Sequence, residues 1–567
     1  MRGSLLALLA VLAAAQPAPS AAPPAPSAGP ARPRFAAPPA GERVLVLWTA
    51  GVQGYVEPCG CTADPLGGVA RLAAAVDEAK AAWGKRVVLL DGGDLLFERK
   101  DDIAAADRCQ AEAKADLLVG TLAKHGLAAT ALGPLDDVRG PSFRDVRLSR
   151  AAIPTVGVGS PRALGDGARA KPRLLLELDG VMLGVTGFSA GRAEDAPAVR
   201  AALEREVRAL QREGARAVLA LAQAPRAVTK LVVRGLPGLD AVLQGRAPGE
   251  LPLEPEPLVG EGGVGPVLLA AGMQAQHLGV LELVLEGRAP GAPLALDDRA
   301  ARQQARRRLL EVKSKSLDDE LGRETVGSRR AFLAERRRQV TSELAALSED
   351  ALAAPLAAPH LRAWSLPLPR GSAEEPNAAA ALAAYQASVP SLVERCEAEA
   401  PCPKAPPEAP RYLGAVACAG CHAPAVAFWQ AQQVQRPGKD AQGRAITRVV
   451  GHARAWQTLV EEGKERDRSC VPCHAVGFGE PGGPCTTTDV VKGGFSGVQC
   501  ESCHGPGSAH VGAGGKGGVV RAPDEARCRS CHRVPHIATT DSFDFADRRR
   551  LILGAGHGLP APKERAP

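Results

Sequence analysis

The sequence predicts a multi-domain chain with an N-terminal α/β domain, a helical spacer and a C-terminal domain that is mostly irregular or helical. Short apolar runs alternate with helical patterns over residues 41–290, whereas residues 298–350 are rich in Arg, Glu, Leu and Ala. Residues 411–567 combine four copies of Cys-x-x-Cys-His with many glycines and little regular periodicity. A chain of 567 residues is long enough for two or three domains.

The first 15 residues have the pattern of an export signal. Arg2 supplies a positive charge, residues 5–15 form a short apolar run, and Ala13-Ala14-Ala15 offers an A-x-A cleavage site. Because this run is too short to span a bilayer, we predict a signal peptide over residues 1–15 and a periplasmic protein without a transmembrane segment. A retained N-terminal anchor is the alternative. Residues 16–40 are dominated by Pro, Ala, Ser and Gly, which predicts a disordered linker.

Short apolar runs between residues 44 and 285 have the length and composition of strands, and helical patterns lie between several of them. This alternation predicts an α/β domain with a largely buried sheet or sheets. The predicted strands are 44–48, 87–90, 128–132, 155–158, 173–178, 181–188, 217–222, 239–243, 267–270 and 279–285, and the predicted helices are 69–83, 104–125 and 196–213.

Residues 298–400 are predicted to form a helical spacer with Pro-rich linkers. Two amphipathic patterns, separated near Gly327, predict a helical hairpin. A Pro/Ala-rich stretch follows at 353–376, then a short helix near 379–396 and a second Pro-rich linker at 401–410. The apolar faces of the two hairpin helices consist of Leu310, Leu317 and Leu321 in one and Leu333, Val340, Leu344 and Leu347 in the other.

The net charge of +7 is spread along the chain. It is too weak and too diffuse to argue for a nucleic-acid partner. The arginine clusters at 306–308 and 336–338 lie within the helical patterns, which predicts solvated helix faces.

The four Cys-x-x-Cys-His copies are c-type haem attachment motifs, in which two thiols form thioethers with the haem and the adjacent imidazole binds the iron. Zinc is the alternative, but a zinc site does not require His directly after each second Cys. We therefore predict four covalently bound haem c groups. The attachment residues are Cys418, Cys421, Cys470, Cys473, Cys500, Cys503, Cys528 and Cys531, and the proximal iron ligands are His422, His474, His504 and His532.

The sixth iron ligand decides what each haem does. A second His closes the iron for electron transfer, whereas an open position admits a substrate. Outside the motifs, the C-terminal region contains four further histidines, which predicts mostly bis-His coordination. The candidate distal ligands are His452, His510, His536 and His557, and the upstream His360 is predicted to be structural.

The segment Cys500-Glu501-Ser502-Cys503-His504-Gly505-Pro506-Gly507-Ser508-Ala509-His510, with Phe428-Trp429 and His452-Ala453-Arg454-Ala455, resembles the cytochrome c-554 type of multihaem cytochrome. The resemblance covers about residues 411–560. It implies a compact tetrahaem domain with stacked haems that relays electrons in the periplasm, with most irons bis-His and one lacking a strong distal ligand. It also implies distal roles for His452 and His510. His536 and His557 match the family less closely.

Four segments of the N-terminal domain resemble the motifs of the 5′-nucleotidase-like metallophosphatases: 49–71, Val88-Leu89-Leu90-Asp91-Gly92-Gly93-Asp94, 132–136 and 239–248. The resemblance covers about residues 41–290. It implies a four-layer metallophosphatase-like sandwich with two sheets between helices. The family holds two metals with Asp, His and Asn at strand ends, where they clamp a phosphoryl group and activate water.

This chain departs from the family at most of the metal-ligand positions. They carry Gly51, Gln53, Pro134, Leu135, Gln223, Arg246 and Pro248, and only Asp94 keeps its carboxylate. Since one carboxylate cannot hold two divalent metals, we predict that metal-dependent hydrolysis is lost and that the N-terminal domain holds no divalent metal. A rearranged active site that uses Asp91, Asp94, Asp136 and Asp137 is the alternative.

Six cysteines lie outside the haem motifs, and an oxidising compartment favours disulfides among them. We predict a local bridge between Cys396 and Cys402. Cys59 and Cys61 rarely bond to each other at this spacing. One of them is therefore predicted to pair with Cys109, and the alternative is a thiol or persulfide site that exchanges electrons with the haems.

The sequence is compatible with three functions. The first is an exported tetrahaem cytochrome that passes electrons between periplasmic or membrane redox proteins and carries an inactive phosphatase-like domain. The second is a redox enzyme with one open haem that acts on a small nitrogen or sulfur compound. The third is an active metallophosphohydrolase fused to a cytochrome.

Overall fold

The computed structural model describes residues 35–58, 66–98, 103–159, 170–245, 253–347, 356, 359–400, 402, 405–432, 434–439, 445–532, 543–554 and 556–557. The predicted signal peptide lies outside these residues, as do Cys59, Cys61, Arg246, Pro248 and His536.

The strands are β1 (Arg43–Thr49), β2 (Val87–Asp91), β3 (Leu127–Thr130), β4 (Val158–Gly159), β5 (Arg173–Leu178), β6 (Val181–Ser189), β7 (Ala217–Gln223), β8 (Ala241–Gln244), β9 (Leu253–Pro257), β10 (Val267–Ala270), β11 (His277–Val284), β12 (Ala295–Asp297), β13 (His360–Pro367), β14 (Val434–Lys439) and β15 (Ala445–Val450). The helices are α1 (Val69–Trp83), α2 (Arg108–Lys124), α3 (Pro141–Arg150), α4 (Ala196–Arg212), α5 (Arg226–Val233), α6 (Arg299–Arg323), α7 (Gly327–Ala346), α8 (Pro376–Glu399), α9 (Ala415–Ala431), α10 (Ala455–Glu462), α11 (Val471–His474), α12 (Thr487–Lys492), α13 (Cys500–His504), α14 (Ser508–Gly512), α15 (Glu525–Arg529) and α16 (Phe545–Ile552).

Two sheets form the centre of the N-terminal domain. The first has the order β12-β13-β11-β1-β2-β3, and the second has β4-β6-β7-β8-β10-β9 with β5 paired to β6. β1 is apolar from Val44 to Trp48 because both of its faces are covered. Leu45 and Leu47 pack with α1, α2 and α8, whereas Val44, Val46 and Trp48 pack against the second sheet. The other face of the second sheet is covered by α4 and α5.

The order of layers is therefore helix, sheet, sheet, helix, which confirms the predicted four-layer sandwich. The helix predicted over 69–83 is α1. Because β1, β2 and β3 run parallel, Thr49, Asp91 and Thr130 lie side by side at the carboxyl edge of the first sheet. This edge is where the resemblance placed the metal cleft.

The stretch predicted as a Pro/Ala-rich linker at 353–376 contains strand β13, so that prediction is wrong for residues 360–367. β13 pairs along its length with β11, and Leu361 and Ala363 face the second sheet. α8 then returns to the domain and packs Tyr385, Val389 and Val393 beneath the first sheet. The sheet and its helical layer thus extend beyond residue 290, the predicted end of the domain, because strand pairing depends on long-range contacts that local composition does not reveal.

The predicted hairpin is present as α6 and α7. The two helices pack through the apolar faces that the sequence indicated, with Leu310, Leu317, Leu333 and Val340 buried between them. The arginines at 336–338 are exposed, as predicted, but Arg308 is partly buried and lines a small cavity with Trp48 and Ser365, so the prediction of a solvated face is wrong for Arg308.

The C-terminal region consists of helix α9, the β14–β15 pair and a series of short helices joined by glycine-rich turns. Its apolar core is small and contains Trp456, Leu459, Val471, Phe478 and Val490, together with Ala475. This agrees with the predicted mostly irregular and helical domain. In the described part of the chain, no helix has the length and apolar character needed to span a bilayer.

The disulfides differ from the prediction. Cys109 bonds to Cys396, and Cys402 bonds to Cys485. The packing of α8 against α2 brings Cys396 to Cys109, so the local Cys396–Cys402 bridge is wrong. The pairing of Cys59 or Cys61 with Cys109 is wrong for the same reason.

Candidate functional site

The haem motifs lie in short helical segments. Cys500–His504 is a complete helical turn, and the motif at Cys470 opens α11. In a helix, residues three and four positions apart share a face, so the two thiols and the imidazole of a motif lie on one side. α9 departs from helical geometry at His422, where its first motif ends. None of the eight motif cysteines is in a disulfide.

Main-chain carbonyls orient three of the candidate iron ligands. The Nδ1 atoms of His474, His504 and His510 lie 2.6, 2.6 and 2.7 Å from the carbonyl oxygens of Ala455, Val520 and Gly517. When Nδ1–H donates to a carbonyl, the Nε2 lone pair is left for a metal. This is the arrangement that a haem ligand needs.

Two pairs of imidazoles face each other. The ring centres of His422 and His510 are 6.2 Å apart, and those of His452 and His532 are 6.0 Å apart. An imidazole nitrogen binds a metal at about 2 Å and the ring centre lies about 1 Å beyond it, so two imidazoles on opposite faces of one iron have centres roughly 6 Å apart. Each pair joins a motif histidine to a predicted distal histidine, and the residues fit a haem iron between them.

His452 is available as a neutral ligand. Burial lowers its pKa, and the neighbouring His532 lowers the pKa further. A neutral imidazole is the form that binds a metal.

The other two motif histidines, His474 and His504, belong to neither of these pairs. Of the two remaining candidate ligands, His536 lies outside the described residues and His557 is exposed shortly after α16.

At the carboxyl edge of the first sheet, Asp91 is buried and accepts several hydrogen bonds. Its carboxylate accepts hydrogen bonds from Thr49 Oγ1 and Thr130 Oγ1, both at 2.7 Å, and from the Gly93 amide at 2.9 Å. Parallel pairing of β1, β2 and β3 places both hydroxyls beside it.

Asp136 is enclosed by main-chain donors. Its carboxylate accepts from the backbone amides of Asp94, Leu95, Leu96 and Gly133 at 2.7 to 3.0 Å. Burial and the nearby Asp94 carboxylate both raise the pKa of Asp136, and the hydrogen bonds from the Gly133 and Leu96 amides oppose this rise.

Residues at the positions where the family has metal ligands form hydrogen bonds to one another and to the nearby main chain. Asp94 Oδ1 accepts from the amide of Leu135 at 2.9 Å, and the side-chain amide of Gln223 donates to the carbonyl of Gly92 at 2.5 Å. Of the alternative carboxylate set, the structure brings Asp91, Asp94 and Asp136 together, but Asp137 pairs with Arg144 instead.

Residues 417–505 match the family described as cytochrome c554 and c-prime. The chain is similar to cytochrome c-554 of Nitrosomonas europaea, with 32% identity over 154 residues that cover 21% of this chain and 57% of that protein. It is also similar to the C-type polyheme cytochrome OmcB of Geobacter sulfurreducens, with 33% identity over 90 residues that cover 15% of this chain and 12% of OmcB. The predicted resemblance to the cytochrome c-554 type is confirmed for residues 417–505, while the chain spans just over half the length of the first relative.

Among solved structures, the chain is similar to a 5′-nucleotidase precursor from Thermus thermophilus, with a TM-score of 0.39, 17% identity and coverage of 62% of this chain and 59% of that one. It is also similar to the calcineurin-like phosphoesterase YfkN from Bacillus subtilis, with a TM-score of 0.31, 18% identity and coverage of 44% and 87%.

Proposed function

We propose that this protein is a periplasmic tetrahaem c-type cytochrome that passes single electrons between periplasmic or membrane redox proteins, and that its phosphatase-like domain no longer hydrolyses phosphate esters. The observation that carries the proposal is the spacing of the two imidazole pairs, which matches two axial ligands on one iron. The match of residues 417–505 to the cytochrome c554 family supports it.

Each haem would be held by residues of one motif and, for two of the haems, by a second histidine. Each pair of motif thiols anchors one haem, and His422, His474, His504 and His532 are the proximal ligands. His510 would bind the iron of the haem that His422 holds, and His452 would bind the iron of the haem that His532 holds. Haem supplies a one-electron couple, and an iron closed by two imidazoles has no position left for a substrate.

The two imidazole pairs also support a second candidate function. Because neither imidazole pair includes His474 or His504, the iron of one of these two histidines keeps an open position in this second proposal. The protein would then be a redox enzyme that acts on a small nitrogen or sulfur compound. In the first proposal, His536 and His557 close these two irons.

The cleft geometry supports the loss of hydrolysis. A two-metal site needs several unengaged oxygen or nitrogen donors around each ion. Here the carboxylates of Asp136 and Asp94 both accept hydrogen bonds from main-chain amides. The family's ligand positions carry Gly51, Gln53 and Gln223 instead. These residues do not fit a two-metal centre.

Two experiments test the proposal on the full-length, haem-loaded protein. Haem quantification with an EPR spectrum of the oxidised form should give four haems per chain and low-spin signals. A high-spin signal from one haem would favour the enzyme instead. A phosphatase assay with added divalent metals should show no activity, and activity that disappears in Asp94→Ala would refute the loss of hydrolysis.

A further inference from the structure

The segment that leads into the second haem motif lies against the N-terminal domain. Lys464 Nζ donates to Glu57 Oε2 at 2.6 Å, and Lys114 Nζ donates to Ser469 Oγ at 2.9 Å. Residue 469 directly precedes Cys470, so the two domains meet at the attachment point of the second haem.

Helix α2 holds this segment in place. Gln110 and Lys114 are four residues apart and share a face. The Gln110 side chain accepts from the amide of Arg468 at 3.1 Å and donates to the Asp467 carboxylate. The amide of Cys470 in turn donates to the carbonyl of Asp467 at 2.9 Å. A side chain of the N-terminal domain is thus two hydrogen bonds away from a haem-bearing cysteine.

Four charged groups gather at this contact, and we call Glu57, Lys114, Lys464 and Asp467 the charge cluster. Burial is the largest single effect on Lys114 and lowers its pKa, but Asp467 and the other negative groups around it together raise the pKa above its usual value. Glu57 likewise raises the pKa of Lys464 against the effect of burial. Burial opposes ionisation of Asp467, yet Lys114 and the hydrogen bonds keep the pKa of Asp467 low. Both lysines and Asp467 are therefore charged at neutral pH.

All four charges act on the Cys470 sulfur. Burial raises the pKa of that thiol well above its usual range, the carboxylates of Asp467 and Glu57 add to the effect, and Lys464 and Lys114 oppose it. In the mature cytochrome this sulfur is a thioether bonded to the haem, so charges that act on it also act on the second haem.

We propose that the phosphatase-like domain forms part of the second haem's site and sets the reduction potential of that haem through the charge cluster, an inference that rests on the tetrahaem function proposed above. Reduction adds one electron to the haem, so a nearby cation stabilises the reduced form and a nearby carboxylate stabilises the oxidised form. Partial exclusion of water strengthens both effects. Glu57 and Lys114 belong to the N-terminal domain and are positioning residues for this haem.

The experiment is a potentiometric titration of the full-length, four-haem protein and of two variants. Lys114→Met removes a cation and leaves Asp467 less compensated, so one midpoint potential should shift to a lower value. Glu57→Gln keeps the shape of the side chain but leaves Lys464 less compensated, so the same midpoint should shift to a higher value. Lys114→Arg keeps the charge and should restore the original midpoint.

Lys124→Met is the matched control, because Lys124 is an exposed cation at the other end of the same helix, and it should leave all four midpoints unchanged. A merely structural contact would shift the midpoint in the same direction in both variants. That result, or four unchanged midpoints at four haems per chain, overturns this inference. Fewer than four haems in the parent protein contradicts the proposed tetrahaem function instead.

Discussion

At the residue scale, the candidate haem ligands are oriented by hydrogen bonds that their own motifs do not contain. His510 reaches the carbonyl of Gly517 in a glycine-rich turn, and His504 reaches that of Val520. These carbonyls select one tautomer and one ring orientation, which is how outer hydrogen-bond partners tune a metal ligand. In the proposed function, the turn after the third motif therefore contributes to two haem sites, because His504 belongs to one and His510 faces His422 of the other.

This arrangement predicts the effect of His510→Ala. The first haem should lose its low-spin signal and show a high-spin EPR signal, because alanine leaves one axial position without an imidazole. Val511→Ala, at the exposed neighbouring residue, should leave the spectrum as it is. An unchanged low-spin spectrum in His510→Ala would show that His510 is not the distal ligand.

Asp136 provides a second prediction at this scale. Asp136→Asn places an amide group against main-chain N–H donors, so the free energy of unfolding should fall by about 1–3 kcal/mol. Urea unfolding followed by circular dichroism measures the change. Asp116→Asn is the control, because Asp116 forms an exposed ion pair with Arg147 and such pairs contribute little. Equal effects in the two variants would contradict a special role for the Asp136 hydrogen bonds.

At the element scale, β13 shows how a segment far along the chain completes an earlier sheet. It pairs with β11 in the first sheet and parallel to β12 at the edge. Its alternating residues His360-Leu361-Arg362-Ala363-Trp364 are a strand pattern of period two. The sequence analysis did not predict this strand, because prolines and alanines are frequent on both sides of it.

The position of β13 predicts a large cost for Leu361→Ala. Leu361 is 1% exposed between the two sheets, so the substitution should lower the free energy of unfolding by about 2–5 kcal/mol. Leu309→Ala removes the same atoms from a side chain that is 59% exposed on α6, and it should change stability by less than about 0.5 kcal/mol. If chemical denaturation gave equal values, residues 360–367 would not be a buried strand.

At the scale of the whole molecule, covalent and ionic contacts join the two domains. The Cys402–Cys485 bridge spans the linker between α8 and the haem region, and the Cys109–Cys396 bridge ties α8 to α2. Arg468 lies between them and pairs with Asp107 at 2.6 Å and with Glu397 at 2.7 Å. The haem domain is thus fastened to the phosphatase-like domain at the second haem motif.

This interface predicts that Arg468→Ala destabilises the whole protein. The side chains of Arg468 and Glu397 are 6% and 7% exposed, so removal of the arginine leaves a buried carboxylate without a neutralising cation and should cost about 3–5 kcal/mol. Thermal unfolding of the haem-loaded protein measures the effect. Arg466→Ala, which removes hydrogen bonds to Thr487 and Thr488 nearby, should cost less than about 1.5 kcal/mol. A smaller loss in Arg468→Ala than in Arg466→Ala would mean that the domains are not held together at this point.

The sequence by itself determined the features that depend on local spacing. The Cys-x-x-Cys-His motifs locate haem attachment because a thioether pair and its histidine must share one helical turn. The apolar runs predicted the layered α/β domain, because each strand that is buried on both faces must be apolar throughout. The hairpin followed from helical periodicity in the same way.

The tertiary structure decided what depends on contacts between distant residues. It placed β13 in the sheet, selected the two disulfide pairings, and brought His510 to His422 and His452 to His532. It also revealed the charge cluster at the second haem motif. The physical reason is that pairing of strands, cysteines, imidazoles and charges is set by the spatial packing of elements such as α2 and α8, and no pattern of neighbouring residues encodes that packing.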